Sequence, residues 1–299
     1  MRRQGGFVIC RPVSKILRYL LEYALFRLFG ALVQSLPLAK ASALGGLLWR
    51  WLAPFSKRHR RALAHIQIAY PDLSPQERER LARQMWDTMG RVFAESFRLQ
   101  ELAASDRVTI EDEEKVREIL SATNGYIACT AHQGNWEIAV AILLRFGHSP
   151  MGIYRRIKNP YVEKMVRKLR EPLYPAGLVE KGRTAALTAT KHVRNGGVLS
   201  VMADLRENRG VHVPFFGREA ASTPFPAMVA LSFEKPLFVA HVLREKDAHF
   251  RIQLEEVPVV RTGNREADVI ATTANLQAAL ERNIRERPGE WMWGHRRWG

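Results

Sequence analysis

The hydrophobic pattern changes character along the chain. Between residues 13 and 55 apolar side chains come in dense groups: Ile16-Leu17, Tyr19-Leu20-Leu21, Leu25-Phe26, Leu28-Phe29, Leu47-Leu48-Trp49 and Trp51-Leu52. Pro37 and the Gly45-Gly46 pair are expected to break this stretch into helical pieces. Ser74-Pro75-Gln76-Glu77 has the signature of a helix start, with Ser as N-cap, Pro at the first position and Glu at the third. The helical period of Leu81, Met85, Met89, Val92, Phe93 and Phe97 carries that helix to about Glu101. A second helix is expected over Glu111 to Leu120.

After Asn124-Gly125 the period shifts. Tyr126 to Thr130 is a short apolar run of strand type, and further strands are expected at Ile153-Tyr154, Val198–Ala203, Leu237–Leu243 and Phe250–Val257. Helices are expected between them at Trp136–Phe146, Pro160–Arg170 and Arg183–Arg194, with a last one from Arg265 to Arg287. Strands alternating with helices predict an α/β fold, a mainly parallel mixed sheet flanked by helices. The simplest division is an N-terminal helical segment over residues 1–60 and one catalytic domain over 61–299.

Charge distribution refines this picture. Of the net charge of +16, residues 1–61 carry most, with twelve Lys and Arg against the single acid Glu22. Such asymmetry calls for an anionic partner. Basic residues among Leu, Phe and Trp fit the surface of a bilayer containing anionic lipid, whereas a nucleic-acid binder would set stacking aromatics among polar residues. The longest charge-free run, Leu28 to Ala39, is short of the ~20 apolar residues that a bilayer requires. A helix or helical hairpin lying in the interface is therefore expected over a tilted span, with its basic flank on the cytoplasmic side. No cleavable leader is evident. Cys10 and Cys129 offer neither metal-ligand spacing nor a disulfide framework, which suits a reducing compartment.

The sharpest chemical signal is Ala131-His132-Gln133-Gly134-Asn135-Trp136-Glu137, directly after a buried strand. Asn135 reads as an N-cap, which puts Glu137 in a first helical turn where the helix dipole favours its charged form. From there its carboxylate can reach back to hold one ring nitrogen of His132. The other nitrogen is then free to take a proton from a hydroxyl. Strand C-terminal ends are where α/β sheets collect ligands. Cys129, three residues earlier in the strand, should face the opposite side and be buried.

These residues resemble a family. His, four residues and an acid after a strand is similar to the signature of the glycerolipid acyltransferases. The fuller H-Q-G-N-W-E string resembles the late (lauroyl and myristoyl) acyltransferases of lipid A biosynthesis. Tyr154 to Pro160 is similar to that family's Y-R-P-x-x-N-P, with Arg156 at the usual proline. Ala203-Asp204, Gly210, Val213 to Gly217 and Thr223 resemble its A-D-Q…G…V-P-F-F-G…T block, with Leu205 where Gln is common. Pro288 to Trp293 with His295 to Trp298 resembles its ending.

The resemblance covers nearly the whole chain. It implies an acyltransferase at the cytoplasmic face of a bacterial inner membrane, with His132 as general base and Glu137 as its partner. The donor would be an acyl carrier protein thioester and the acceptor a hydroxyl of a lipid A precursor, with no metal, cofactor or covalent acyl-enzyme. Donors for the oxyanion would come from backbone N–H groups at 135–137 or from Arg155. Arg155 and Lys158 also suit acceptor phosphates. Asn135 and Asp204 belong at the functional edge of the sheet. Phe215 and Phe216 either line an acyl groove or are core, and Trp291, Trp293 and Trp298 either meet a membrane or cap the domain. The competing readings are a lysophospholipid or glycolipid acyltransferase, a thioester hydrolase with the same pair, and a non-catalytic basic membrane- or nucleic-acid-binding protein.

Overall fold

The computed structural model describes residues 13–298, so Cys10 and the first basic residues lie outside it. In chain order the helices are α1 (Val13–Ser35), α2 (Leu38–Leu52), α3 (Lys57–Ala69), α4 (Pro75–Glu95), α5 (Leu99–Ala104) and α6 (Glu113–Ser121). They continue with α7 (Ala141–Arg145), α8 (Pro160–Arg170), α9 (Arg183–Arg194), α10 (Phe225–Phe233) and α11 (Arg265–Glu286). The strands are β1 (Val108–Ile110), β2 (Tyr126–Thr130), β3 (Pro150–Tyr154), β4 (Leu178–Glu180) and β5 (Val198–Met202). Then come β6 (Arg206–Phe215), β7 (Arg218–Ser222), β8 (Leu237–Arg244) and β9 (Phe250–Val257).

Seven strands form one sheet in the order β1-β9-β8-β2-β5-β3-β4. Every neighbouring pair is parallel except β8 and β9. The α/β class and the mainly parallel mixed sheet are as the sequence implies. β2 sits near the centre between β8 and β5, and all five of its residues are buried. A strand buried on both faces must be apolar throughout, which is what Tyr126-Ile127-Ala128-Cys129-Thr130 nearly provides. Helices cover both faces, and the core divides accordingly into one cluster with Met85, Phe215, Trp291 and Trp293 and another with Leu99, Tyr126, Phe238 and Phe250.

The capping box of α4 forms as its sequence predicts. Ser74 accepts from the Glu77 amide, and Glu77 returns a bond to the Ser74 amide at 2.8 Å. The helix ends at Glu95, and a 3-10 turn at Ser96–Arg98 and then α5 take over the run expected to reach Glu101. Trp136–Phe146, expected as one helix, divides into a 3-10 turn at Trp136–Ile138 and the short α7. The hairpin β6–β7, the edge strands β1 and β4, and α10 have no counterpart in the sequence reading.

Pro37 separates α1 from α2, but Gly45-Gly46 breaks nothing: α2 runs through both. These glycines let α2 lie against α4. A methyl group added at Gly45 would sit 2.4 Å from the Gly90 carbonyl oxygen, and one added at Gly90 would sit 2.1 Å from the Gly45 oxygen. Phe26 and Phe29 of α1 pack on Phe93 and Phe97, so the N-terminal helices rest on the α4 end of the molecule. Their other side stays exposed, including Leu17, Leu21, Leu25, Leu28, Trp51, Leu52 and Phe55. Among the described residues no helix is long and apolar enough to cross a membrane.

Candidate active site

Parallel pairing of β2 with β5 sets the site. Thr130 is the register partner of Met202, so two residues further along each chain His132 and Asp204 emerge side by side at the C-terminal edge. His132 Nδ1 lies 2.8 Å from Asp204 Oδ1, and the His132 amide donates to Asp204 Oδ2 at 2.9 Å. Trp291 Nε1 donates to the same Oδ2 at 2.8 Å. Asp204 is 1 % exposed, and such burial would raise its pKa. The His132 charge and the three hydrogen bonds outweigh burial and hold it down to about 2. An ionised carboxylate can only accept, so Nδ1 is the donor in this bond and Nε2 is the ring nitrogen left without a carboxylate partner.

The expected partner was Glu137, and the structure corrects that assignment. Glu137 Oε2 accepts from Arg170 Nε at 2.8 Å, Arg170 Nη2 donates to Oε1, and so does Trp136 Nε1 at 3.2 Å. The reason is local. Gly134 turns the chain at φ 57°, with no room for a side chain because an added methyl group would lie 2.2 Å from the Val242 oxygen. The following 3-10 turn then carries Glu137 away from the ring and towards the end of α8, where Arg170 waits. Asn135 does cap that turn, accepting from the Glu137 amide at 3.2 Å. Its own amide donates at 2.8 Å to Glu95, which Arg244 grips with two bonds of 2.7 Å. Asn135 is fully buried, so it braces the loop instead of meeting substrate.

Arg155 and Lys158 lie exposed on the loop after β3, and among the described residues neither forms an ion pair. Phe215 and Phe216 are core instead of surface residues. Both are buried in an aromatic cluster with Trp291, Trp293 and Trp298. Phe216 sits at φ 53° in the hairpin tip, a costly conformation for a large side chain, and packing among Tyr70, Trp291 and Trp293 holds it there. The three Trp residues thus cap the domain from inside. Cys129 is fully buried and burial pushes its thiol pKa up, so it is no nucleophile.

Sequence reasoning overlooked the role of the C-terminal segment. The Met292 amide donates to the His132 carbonyl at 3.0 Å, and the Gly134 amide to the Glu290 carbonyl at 3.3 Å. Buried Arg297 anchors the segment through Ser222 and Gln277 at 2.8 and 2.9 Å. His295 lies nearly parallel to His132, with ring centres 5.5 Å apart, and Trp136 flanks His132 on a centre distance of 5.2 Å. Arg170 was likewise missed, since nothing in its local sequence marks it. It also borders an apolar cavity of about 230 Å³ lined by Phe26, Phe93, Phe97, Leu99, Val162, Val166 and Leu169. A larger open cleft of about 680 Å³ is lined by Arg91, Arg244, Lys246 and Arg287 and contains neither His132 nor Asp204.

The profile of the family described as bacterial lipid A biosynthesis acyltransferase matches residues 10–299. A phosphatidylinositol mannoside acyltransferase of Mycolicibacterium smegmatis (strain ATCC 700084 / mc(2)155) is 25% identical over 268 residues, covering 87% of this chain and 86% of its own.

Proposed function

The chain belongs to the bacterial lipid A biosynthesis acyltransferase family, and from that premise we propose that His132, held by Asp204, activates a glycolipid hydroxyl for attack on an acyl thioester. The observation that carries this reading is the bond from His132 Nδ1 to the buried, ionised Asp204. A carboxylate on Nδ1 fixes the tautomer and stabilises the imidazolium that forms when Nε2 takes the hydroxyl proton. The alkoxide attacks the thioester carbonyl carbon. The tetrahedral intermediate collapses, the C–S bond breaks, and the imidazolium returns its proton to the departing thiolate.

Glu137 supports the reaction from behind, by fixing Arg170 and the turn that carries Trp136 against the ring. The apolar cavity beside Arg170 suits the aliphatic tail of the acyl group. Acyl carrier protein is the proposed donor, and the exposed cations Arg155 and Lys158 suit a phosphate on the acceptor. That acceptor is a lipid A precursor. A phosphatidylinositol mannoside or related glycolipid is the second reading, favoured by the relative's name. The exposed leucines of α1, with Trp51, Leu52 and Phe55 among basic residues, suit docking on an anionic membrane.

The test supplies purified protein with an acyl carrier protein thioester, first alone and then with each acceptor. Acyl transfer that needs an acceptor and falls at least about 10²-fold in His132→Ala supports the proposal. Thioester cleavage at the same rate without any acceptor would instead make the chain a hydrolase.

A further inference from the structure

Acyl transfer needs a donor aimed at the oxygen that becomes negative, and the catalytic loop has few to offer. Most of its backbone amides are already committed. Those of His132, Gln133, Gly134, Glu137, Ile138 and Ala139 donate to Asp204, Ala131, Glu290, Asn135, Asn135 and Trp136. Of the two remaining, the Asn135 amide belongs to a fully buried residue. The side chain of His295, by contrast, makes no hydrogen bond to any described residue and stands beside His132 at 5.5 Å with an 18° angle between the rings. The two rings are also tied together through the main chain. The Met292 amide donates to the His132 carbonyl at 3.0 Å, and the His295 amide donates to the Met292 carbonyl at 3.2 Å.

We propose that His295 is a second catalytic imidazole, whose ring N–H donates to the oxyanion formed when the hydroxyl activated by His132 attacks the thioester. This rests on the dyad reading above. The π pair of the thioester carbonyl moves onto oxygen as the new C–O bond forms, and His295 holds that charge without giving up its proton. The pair returns as the C–S bond breaks, and the proton on His132 Nε2 goes to the thiolate. Nearly parallel rings with centres 5.5 Å apart place both imidazoles at one site, so a hydroxyl and the carbonyl it attacks can meet both. Burial, then the neighbouring His132, Arg58 and Arg155, hold His295 down to about 4, so at neutral pH it is an uncharged donor, not a competing acid.

The experiment measures kcat and KM with an acyl carrier protein thioester and a lipid A precursor for His295→Ala, His295→Leu, His295→Asn and His295→Gln. His132→Ala runs in parallel, and thermal unfolding is followed for each. Ala and Leu are expected to lose about 10²–10³-fold in kcat with KM little changed. Asn and Gln, which offer an amide N–H near the positions of Nδ1 and Nε2, are expected to recover at least tenfold in one case. Leu keeps the volume, so the reading survives if Ala fails to fold. A kcat for the folded Ala or Leu variant within about threefold of the parent overturns the proposal. So does a loss confined to KM, or one that neither amide recovers. Full activity in His132→Ala would sink the dyad reading itself. Loss there with an active His295→Leu would sink only the His295 assignment.

Discussion

At the residue scale the proposed chemistry depends on which side chain each carboxylate holds. Asp204 serves His132 and Glu137 serves Arg170, so the two acids should fail differently when neutralised. Glu137→Gln leaves Arg170 with a weaker partner at a site where the Glu137 side chain is 6 % exposed. It should cost about 1–3 kcal/mol of stability, read as a shift in the urea midpoint, with a smaller loss of kcat than any change at Asp204.

Acid stability follows from the shifted groups. His295 has a folded value of about 4 against an ordinary 6.5, so the unfolded chain binds its proton more readily. Stability is then full above about pH 6.5 and falls as pH drops towards 4. Burial lowers His65, His148 and His241 as well, so they too withdraw stability as pH falls below 6.5. Asp204 acts in a separate one: its contribution is present above its ordinary 3.8 and is lost as pH falls towards 2. Urea midpoints across pH should therefore fall in two stages, and His295→Gln should reduce the first and leave the second.

At the scale of elements, the strand register and the C-terminal segment build the site together. Trp291→Phe removes one of three donors from Asp204 while keeping an aromatic, though smaller, ring in the cluster. The carboxylate becomes more basic and strengthens its hold on the imidazolium, so the acid limb of the kcat/KM profile should move to higher pH. A limb that stays where it was would mean that Trp291 only fills space.

Here the limits of the sequence become physical. β2, β5, α8 and the α4 capping box were legible because apolar runs and cap residues are local signals. The His132–Asp204 contact was not. It depends on β2 pairing with β5 in a register that no local pattern fixes, and a reach from Glu137 seemed nearer in sequence. Gly45-Gly46 was misread for the same reason: only the presence of Gly90 on α4 turns a weak helix position into a close-packing surface.

At the scale of the whole molecule, a helix pair with an exposed apolar side, an apolar cavity and a polar dyad occupy one chain. Removing residues 1–55 would strip Phe26 and Phe29 from Phe93 and Phe97, so point changes test the membrane claim more cleanly. Leu17, Leu21 and Leu28 are 61%, 62% and 70% exposed. Changing all three to Glu should weaken binding to anionic vesicles at least about tenfold, near 1.4 kcal/mol, with little change in thermal stability. Unchanged binding would move the membrane contact elsewhere. Narrowing the cavity with Val166→Phe should lower kcat/KM for the longest acyl chains by about tenfold or more and spare short ones.

The most direct test is the kcat of Asp204→Asn for acyl transfer from a carrier-protein thioester to a lipid hydroxyl, measured on protein shown to be folded. The His132–Asp204 dyad predicts a fall of at least about 10²-fold, because Asn no longer fixes the Nδ1–H tautomer or stabilises the imidazolium. A rate within about tenfold of the parent would contradict it and leave His132 without the partner that the register of the sheet provides.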